Sequence, residues 1–232
     1  MSSPTMMPMS LEEIAQAVQG RLIAGTAAID TPVATSTFTD SRQIVEGSVF
    51  VAIAGERVDG HDYVSKVGAQ GAVAAIVDHE IDGAGAPQIV VEDTVLALGA
   101  LAKHNIERRR ALETPFTVIG ITGSVGKTTT KDLMKALLAH IGPTIAPVGS
   151  FNNEIGLPLT SLKVHAETRF LVAEMGANHV GEIANLTSLV PPDIAVVLKV
   201  GVAHLGEFGS PERIAQAKSE IIRGLVPGGL SV

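Results

Sequence analysis

The sequence predicts an α/β protein in two parts: a small N-terminal α/β domain, then a parallel-sheet domain built round a glycine-rich loop. Three observations predict it. Strand-sized apolar runs alternate with helix-length segments, the pattern of a parallel sheet with crossover helices. Hydrophobic residues make up 46% of the 232 residues but aromatics only 3%, with no Trp, so small aliphatics build the core. Finally, one apolar strand runs into the turn Gly120-Ile-Thr-Gly-Ser-Val-Gly126 and then into a helix. At roughly 100–200 residues per domain, the length allows one or two domains.

The elements follow in chain order. Residues 1–10 hold Pro4, Pro8 and three serines, and are expected to be a flexible tail. Leu11–Val18 carries apolar residues at Leu11, Ile14, Ala15 and Val18, which is helical spacing, with Ser10 as N-cap and Gly20 as stop. Val49–Ile53 reads as a buried strand, Asp62–Gln70 as a short helix, and Ala72–Val77 and Gln88–Val91 as strands. Thr94–Arg109 reads as a helix ending in the basic run Arg108-Arg109-Arg110, whose cations favour the C-terminal end of the helix dipole. A boundary is expected at Ala111–Pro115, giving a first domain over 11–112 and a second over 113–232. In the second, strands at Phe116–Ile121, Phe170–Ala173 and Ile194–Leu198 alternate with helices at Lys127–His140, Val180–Val190 and Pro211–Gly224. At the end, Gly228-Gly229 before Leu230-Ser-Val232 reads as a turn entering a new strand.

Composition removes several function classes. Seventeen Lys+Arg against 24 Asp+Glu give a formal charge of −7, the wrong sign for a general nucleic-acid binder. There is no cysteine, hence no disulfide, thiolate metal site or cysteine nucleophile. The N-terminus has no basic and apolar signal-peptide regions, and the longest apolar runs fall far short of the roughly 20 residues of a membrane-spanning helix. The expectation is a cytoplasmic protein that inserts in no membrane.

The strongest local signal is Gly123-Ser-Val-Gly126-Lys127-Thr128-Thr129 between strand and helix. Glycines let backbone N–H groups approach phosphate oxygens, and the helix N-terminus adds its positive dipole end. The lysine reaches outer phosphates, and the hydroxyl after it holds Mg²⁺. The usual G-x-x-x-x-G-K-[ST] spacing is not met, since Ile121 stands five before Gly126. The bland alternative is a strand–turn–helix with an incidental lysine, and the flanking strand and helix argue against it.

Further strings make the reading specific: Phe151-Asn-Asn-Glu-Ile-Gly-Leu-Pro-Leu159, Ala173-Glu-Met-Gly-Ala-Asn-His-Val-Gly-Glu-Ile183, Gly201-Val-Ala-His-Leu-Gly-Glu-Phe-Gly-Ser210 and Ala217-Lys-Ser-Glu-Ile221. With Thr122–Lys131 they resemble the Mur ligases of peptidoglycan synthesis. Within that family the closest likeness is to the type joining D-alanyl-D-alanine to UDP-N-acetylmuramoyl-tripeptide. Thr39-Asp-Ser-Arg42, Gly47–Val51 and Asp59-Gly-His-Asp-Tyr63 resemble the family's domain for the UDP end of the substrate.

The resemblance implies an ATP- and Mg²⁺-dependent ligase that works through an acyl phosphate, and a monomer when full length. Nucleotide would be bound by Gly123, Ser124, Val125, Gly126, Lys127, Thr128 and Thr129. Thr128 and Glu174 would hold one Mg²⁺, and His204 and a carbamylated Lys218 would serve a second metal. Asn152 and Asn153 would stand near the transferred phosphate, and Asp40, Ser41 and Arg42 at the UDP end. Where the family has Asn-Ile-Gly, this chain has Lys199-Val-Gly201. That lysine either pairs with phosphate or disfavours Mg²⁺.

Bland readings stand beside these. Glu174 gains weight as a strand-end carboxylate next to the loop. A lone histidine is more often hydrogen-bonded than ligating, as His61, His140, His165 and His179 illustrate. Asn178-His179 is expected to cap the helix from Val180. Ile214, Lys218 and Ile222 fall at i, i+4, i+8, with Ile221 beside them, so Lys218 lies on an apolar helix row. Spacing alone favours a snorkelling lysine; only the resemblance implies a modified one. Three functions stay open: the dipeptide-adding ligase, a sister ligase adding a single amino acid, and a non-catalytic nucleotide- or substrate-binding module. A switch-type P-loop ATPase accounts for the loop but not for the other strings. The second domain is expected to be incomplete, with no C-terminal domain, and the chain alone is expected to lack ligase turnover.

Overall fold

The computed structural model describes residues 6–23, 34–201 and 205–232. The chain divides into two compact units, Met1–Asn105 and Ile106–Val232.

In the first unit, Ser10 caps α1 (Leu11–Ala17), its hydroxyl accepting from the Glu13 N–H at 3.0 Å. Next come β1 (Arg21–Ile23), β2 (Ser36–Phe38) and β3 (Ser48–Val51). A 3₁₀ turn at Gly60–Tyr63, the single turn α2 (Val64–Val67) and a second 3₁₀ turn at Gly68–Gln70 precede β4 (Ala72–Val77) and β5 (Gln88–Val90). α3 spans Thr94–Arg110. The sheet order is β1-β5-β4-β3-β2, parallel except for the antiparallel edge β1. Its core packs Phe50, Val64, Val67, Ala75 and Val77.

Two expectations are corrected here. Within residues 1–10, the described part is not a loose tail. Met6 and Met9 are fully buried, Met9 bridges Ala34, and the Met7 N–H donates to Asn105 Oδ1 at 3.0 Å. Flexible apolar methionines fill gaps without needing a regular element. The expected helix over 62–70 is instead three short helical pieces, ended by Gly71 at φ +110°.

The second unit begins inside α3, ahead of the expected Ala111–Pro115 boundary, because the last turns of that helix pack into it. Ile106 joins its core. Arg109 is 1% exposed, donates to the carbonyls of Thr114, Pro115 and Thr168, and lies 4.8 Å over the Phe116 ring. Arg110 forks onto Asp193, both bonds 3.0 Å. The basic run is thus partly internal structure, which end-of-helix charge alone does not capture.

The unit continues through β6 (Thr117–Thr122), α4 (Lys127–Leu138), β7 (Thr144–Ile145), α5 (Gly156–Ser161), β8 (Phe170–Glu174) and α6 (Glu182–Leu189). β9 (Ile194–Val197), α7 (Leu205–Phe208), α8 (Pro211–Arg223) and β10 (Leu230–Ser231) complete it. All pairings in its sheet are parallel, in the order β10-β9-β6-β8-β7. The Gly-Gly turn does lead into a strand. α8 lays Ile214, Ala217 and Ile221 into the core. Ile222 is 45% exposed, so the last member of the expected Ile214–Lys218–Ile222 row faces outward. α6 starts at Glu182, later than expected, and the Glu220 carboxylate accepts from Gly181 and Ala184 N–H at 2.7 and 3.0 Å. The trans cap from α8 does the work expected of Asn178-His179. Among the described residues, no helix is long and apolar enough to cross a membrane.

Candidate functional site

The parallel sheet of the second unit brings the C-terminal ends of β6, β8 and β9 together. Ile121 pairs with both Glu174 and Val196, so the loop after β6 lies between the ends of its two neighbours. This is where open α/β sheets bind ligands.

The loop's shape depends on its glycines. Gly123 sits at φ +150° and Gly126, the N-cap of α4, at φ +87°. A Cβ on Gly123 would come within 2.7 Å of Leu198 Cβ. Ser124 anchors the loop: its N–H donates to Lys199 O at 3.0 Å, and its hydroxyl accepts from Gly201 N–H at 2.9 Å. Val125, Gly126 and Thr129 are exposed. Lys127 folds back, its Nζ donating to Gly123 O at 2.9 Å. The Lys199 side chain is exposed.

The centre of the site is Glu174, the last residue of β8 and 1% exposed. Thr128 Oγ1 donates to its Oε2 at 3.2 Å, and Asn152 Nδ2 to its Oε1 at 2.9 Å. Asn152 can reach it because Gly176 lies against it. The Gly176 N–H donates to Asn152 O at 2.9 Å, and a Cβ there would sit 2.7 Å from Asn152 Oδ1. Asn153 turns the other way: its Oδ1 accepts from Gly156 N–H at 2.9 Å and starts α5.

Lys127, Asn152, Asn153, Gly176, Glu182 and Lys218 line one cleft of about 490 Å³. Lys218 is 3% exposed; its Nζ donates to Ala177 O at 3.3 Å and lies 5.5 Å from the Phe208 ring centroid. Burial, with the Lys127 charge second, pushes its pKa down to about 8. The head group is therefore enclosed and not snorkelling. Glu182 accepts from Asn178 N–H at 2.7 Å and His179 Nδ1 at 3.0 Å, and its carboxyl lies below the usual range, hydrogen bonds outweighing desolvation. His204 lies outside the described residues.

The residues fit a nucleotide with its hard cation. Two glycines remove side chains from a turn at the head of a 12-residue helix, and a hydroxyl touches a buried carboxylate beside a lysine. Sequence reasoning gave no role to Gly176, Lys131, Glu182 or Glu220. Lys131 is buried, and its Nζ donates to Pro147 O and Gly149 O, both 3.0 Å, pinning the segment that leads to Asn152. A helix-periodic lysine inside the Thr-Thr-Thr-Lys string was the available signal.

In the first unit, Asp40, Ser41 and Arg42 line a separate cleft of about 480 Å³ with Thr39, Phe50 and Tyr63. Arg42 forks onto Asp40, with Nε–Oδ1 at 2.9 Å and Nη2–Oδ2 at 2.7 Å, and holds its carboxyl well below the ordinary carboxylate range.

Comparison with known proteins agrees with this layout. The Mur ligase middle domain matches residues 121–232, and the Mur ligase family catalytic domain matches residues 35–106. The chain is 39% identical to the UDP-N-acetylmuramoyl-tripeptide–D-alanyl-D-alanine ligase of Mycobacterium tuberculosis, over 98% of this chain and 48% of that one. The structure superposes on MurF from Acinetobacter baumannii with TM-score 0.85 at 40% identity, covering 98% of this chain and 49% of that one. MurF from Thermotoga maritima in complex with ADP gives 0.75 at 38% identity, covering 84% and 44%. The chain spans about half the length of the curated relatives it matches.

Proposed function

Because the chain belongs to the Mur ligase family, we propose that it carries the substrate- and nucleotide-binding parts of a cytoplasmic ATP-dependent ligase that joins D-alanyl-D-alanine to UDP-N-acetylmuramoyl-tripeptide. Residues 11–112 would hold the UDP end, at the cleft of Asp40, Ser41 and Arg42. Residues 113–232 would hold ATP. The observation that carries the reading is the buried Glu174 carboxylate held between Thr128 and Asn152, the latter lining the same cleft as Lys127 and Lys218.

ATP, when bound, supplies the phosphoryl group that activates a substrate carboxylate. The chain's part is positioning and charge neutralisation. Gly123–Thr129 would present backbone N–H groups, and Lys127, now donating to Gly123 O, would reach outer phosphates. Thr128 and Glu174 would hold Mg²⁺, with Asn152 fixing the carboxylate. Asn153, lining the same cleft, would stand near the transferred phosphate. A carbamylated Lys218, together with His204, would serve a second metal. With its pKa lowered to about 8, Lys218 holds a larger fraction of the neutral amine that carbamylation needs than an ordinary lysine does: nitrogen adds to CO₂ and loses a proton, leaving a carboxylate-like oxygen donor.

Calorimetric titration with Mg-ADP tests the reading, comparing wild type with Lys127→Ala and Glu174→Gln. Saturable binding lost in both variants is expected; binding unchanged in both overturns the site. Amide formation by the full-length protein is assayed with ATP, the UDP-tripeptide and either D-Ala-D-Ala or single amino acids. Product only with single amino acids overturns the dipeptide assignment.

A further inference from the structure

Among the described residues, one cluster of metal-capable side chains lies apart from the phosphate-loop cleft: His61, Asp78 and His79 of the first unit. His61 belongs to the 3₁₀ turn Gly60–Tyr63, and Asp78 and His79 directly follow β4. Each offers one ligand atom, and the three atoms lie within 4.8 Å of one another.

The geometry is directional. The His61 side chain is 5% exposed, and its Nδ1 lies 2.6 Å from Asp59 Oδ1. A carboxylate only accepts, so Nδ1 carries the proton and Nε2 presents its lone pair. Nε2 lies 3.2 Å from Asp78 Oδ1, and His79 Nδ1 meets that same oxygen. The two rings stack with centroids 4.9 Å apart. Two imidazole nitrogens therefore converge on one carboxylate oxygen, and the buried imidazole is braced from behind by a second carboxylate. That outer brace is what metal-ligating histidines ordinarily have. Tetrahedral zinc with bonds of about 2.0–2.1 Å separates its ligand atoms by about 3.3 Å, which the His61–Asp78 distance matches.

We propose that His61, Asp78 and His79 bind a divalent transition metal of the zinc type, with Asp59 orienting His61. Two imidazoles and one carboxylate suit zinc, whereas Mg²⁺ prefers an all-oxygen shell. The metal replaces the 3.2 Å bond from the Asp78 N–H to His61 Nε2, and Asp78 is exposed enough for water to take that N–H. In the metal-free protein His79 Nδ1 donates to the Asp78 oxygen, so it releases that proton to solvent on binding, and its ring, 61% exposed, can turn to complete the site. Three protein ligands leave a fourth position for water. Binding ties the Gly60–Tyr63 turn to the end of β4, and that turn walls the cleft of Asp40 and Arg42.

The test is calorimetric titration of the metal-free 232-residue chain with zinc chloride, alongside thermal unfolding. Wild type is expected to show one saturable site and a raised melting temperature. His79→Ala and Asp78→Asn should each weaken binding at least tenfold; His140→Ala, an exposed histidine in the other unit, should leave it unchanged. His79 is exposed, so its variant keeps the fold, which circular dichroism checks. Absence of saturable binding overturns the proposal, as does binding that survives both His79→Ala and Asp78→Asn.

Discussion

Replacing Lys218 by Met isolates the energetic cost of the cleft's enclosed cation. The lysine's pKa is pushed from 10.5 to about 8, chiefly by burial. At about 1.4 kcal/mol per pH unit between those values, holding the charge costs the native state about 3 kcal/mol at pH 7. Met keeps the stem volume and a sulfur against the Phe208 ring, but gives up the 3.3 Å bond to Ala177 O. That loss is worth about 1 kcal/mol. Lys218→Met should therefore be more stable than wild type at pH 7 by about 2 kcal/mol. The sign of the pH dependence follows from proton counts. Between pH 8 and 10.5 the unfolded chain binds more protons at this lysine than the native one, so wild-type stability rises with pH across that window. The variant lacks this rise, and its advantage disappears by pH 10.5. Urea unfolding followed by circular dichroism in bicarbonate-free buffer measures both curves. A variant no more stable at pH 7, with a difference flat from pH 7 to 10.5, would refute the reasoning.

Other substitutions read the remaining contacts. Gly176→Ala should push Asn152 off Glu174 and weaken Mg-ADP binding about tenfold, matching Asn152→Ala, with little loss of melting temperature. Arg109→Ala leaves three carbonyls without their donor and removes the contact over Phe116, so chemical denaturation should show a loss of about 3 kcal/mol or more. Lys131→Met frees the carbonyls of Pro147 and Gly149, and amide exchange over 147–153 should quicken while α4 itself stays protected. Arg42→Ala should abolish fluorescence-detected binding of a labelled UDP-sugar to the first unit and leave Mg-ADP binding intact.

Much of this layout was legible in the sequence, for identifiable reasons. Ala72–Val77 is a continuous apolar run, and it forms a strand with those bounds. Pro211–Arg223 has a serine cap, proline at the first helical position and a clean apolar row, and only its outer boundary and Ile222 differ. The loop, Glu174 and the inward Lys218 were readable because chemistry restricts which residues serve there. The illegible elements owe their form to partners far off in sequence. Gly156–Ser161 opens on glycine and contains Pro158, so propensity argues against a helix; Asn153 and the buried Leu157 supply what propensity withholds. β1, β2 and β7 are two or three residues long, too short for any period to register. Gly176 carries no chemistry of its own and matters only through the space it leaves for Asn152.

The strand order of the second unit has a consequence for how the protein is made. β6 sits at the middle of its sheet, but both of its neighbours, β8 and β9, come later in the chain. A nascent chain that has just exposed the phosphate loop holds it on an unpaired apolar strand with both edges open. Lys218 and Glu220 arrive later still, on α8. The loop cannot assume its shape in the order it is translated, since its anchors at Lys199 and Gly201 are synthesised long after it. Such long-range pairing slows folding and lengthens the time an open strand edge is exposed. Ribosome-bound intermediates ending between β6 and β9 thus carry an open apolar strand edge, the kind of surface that aggregates unless it is covered.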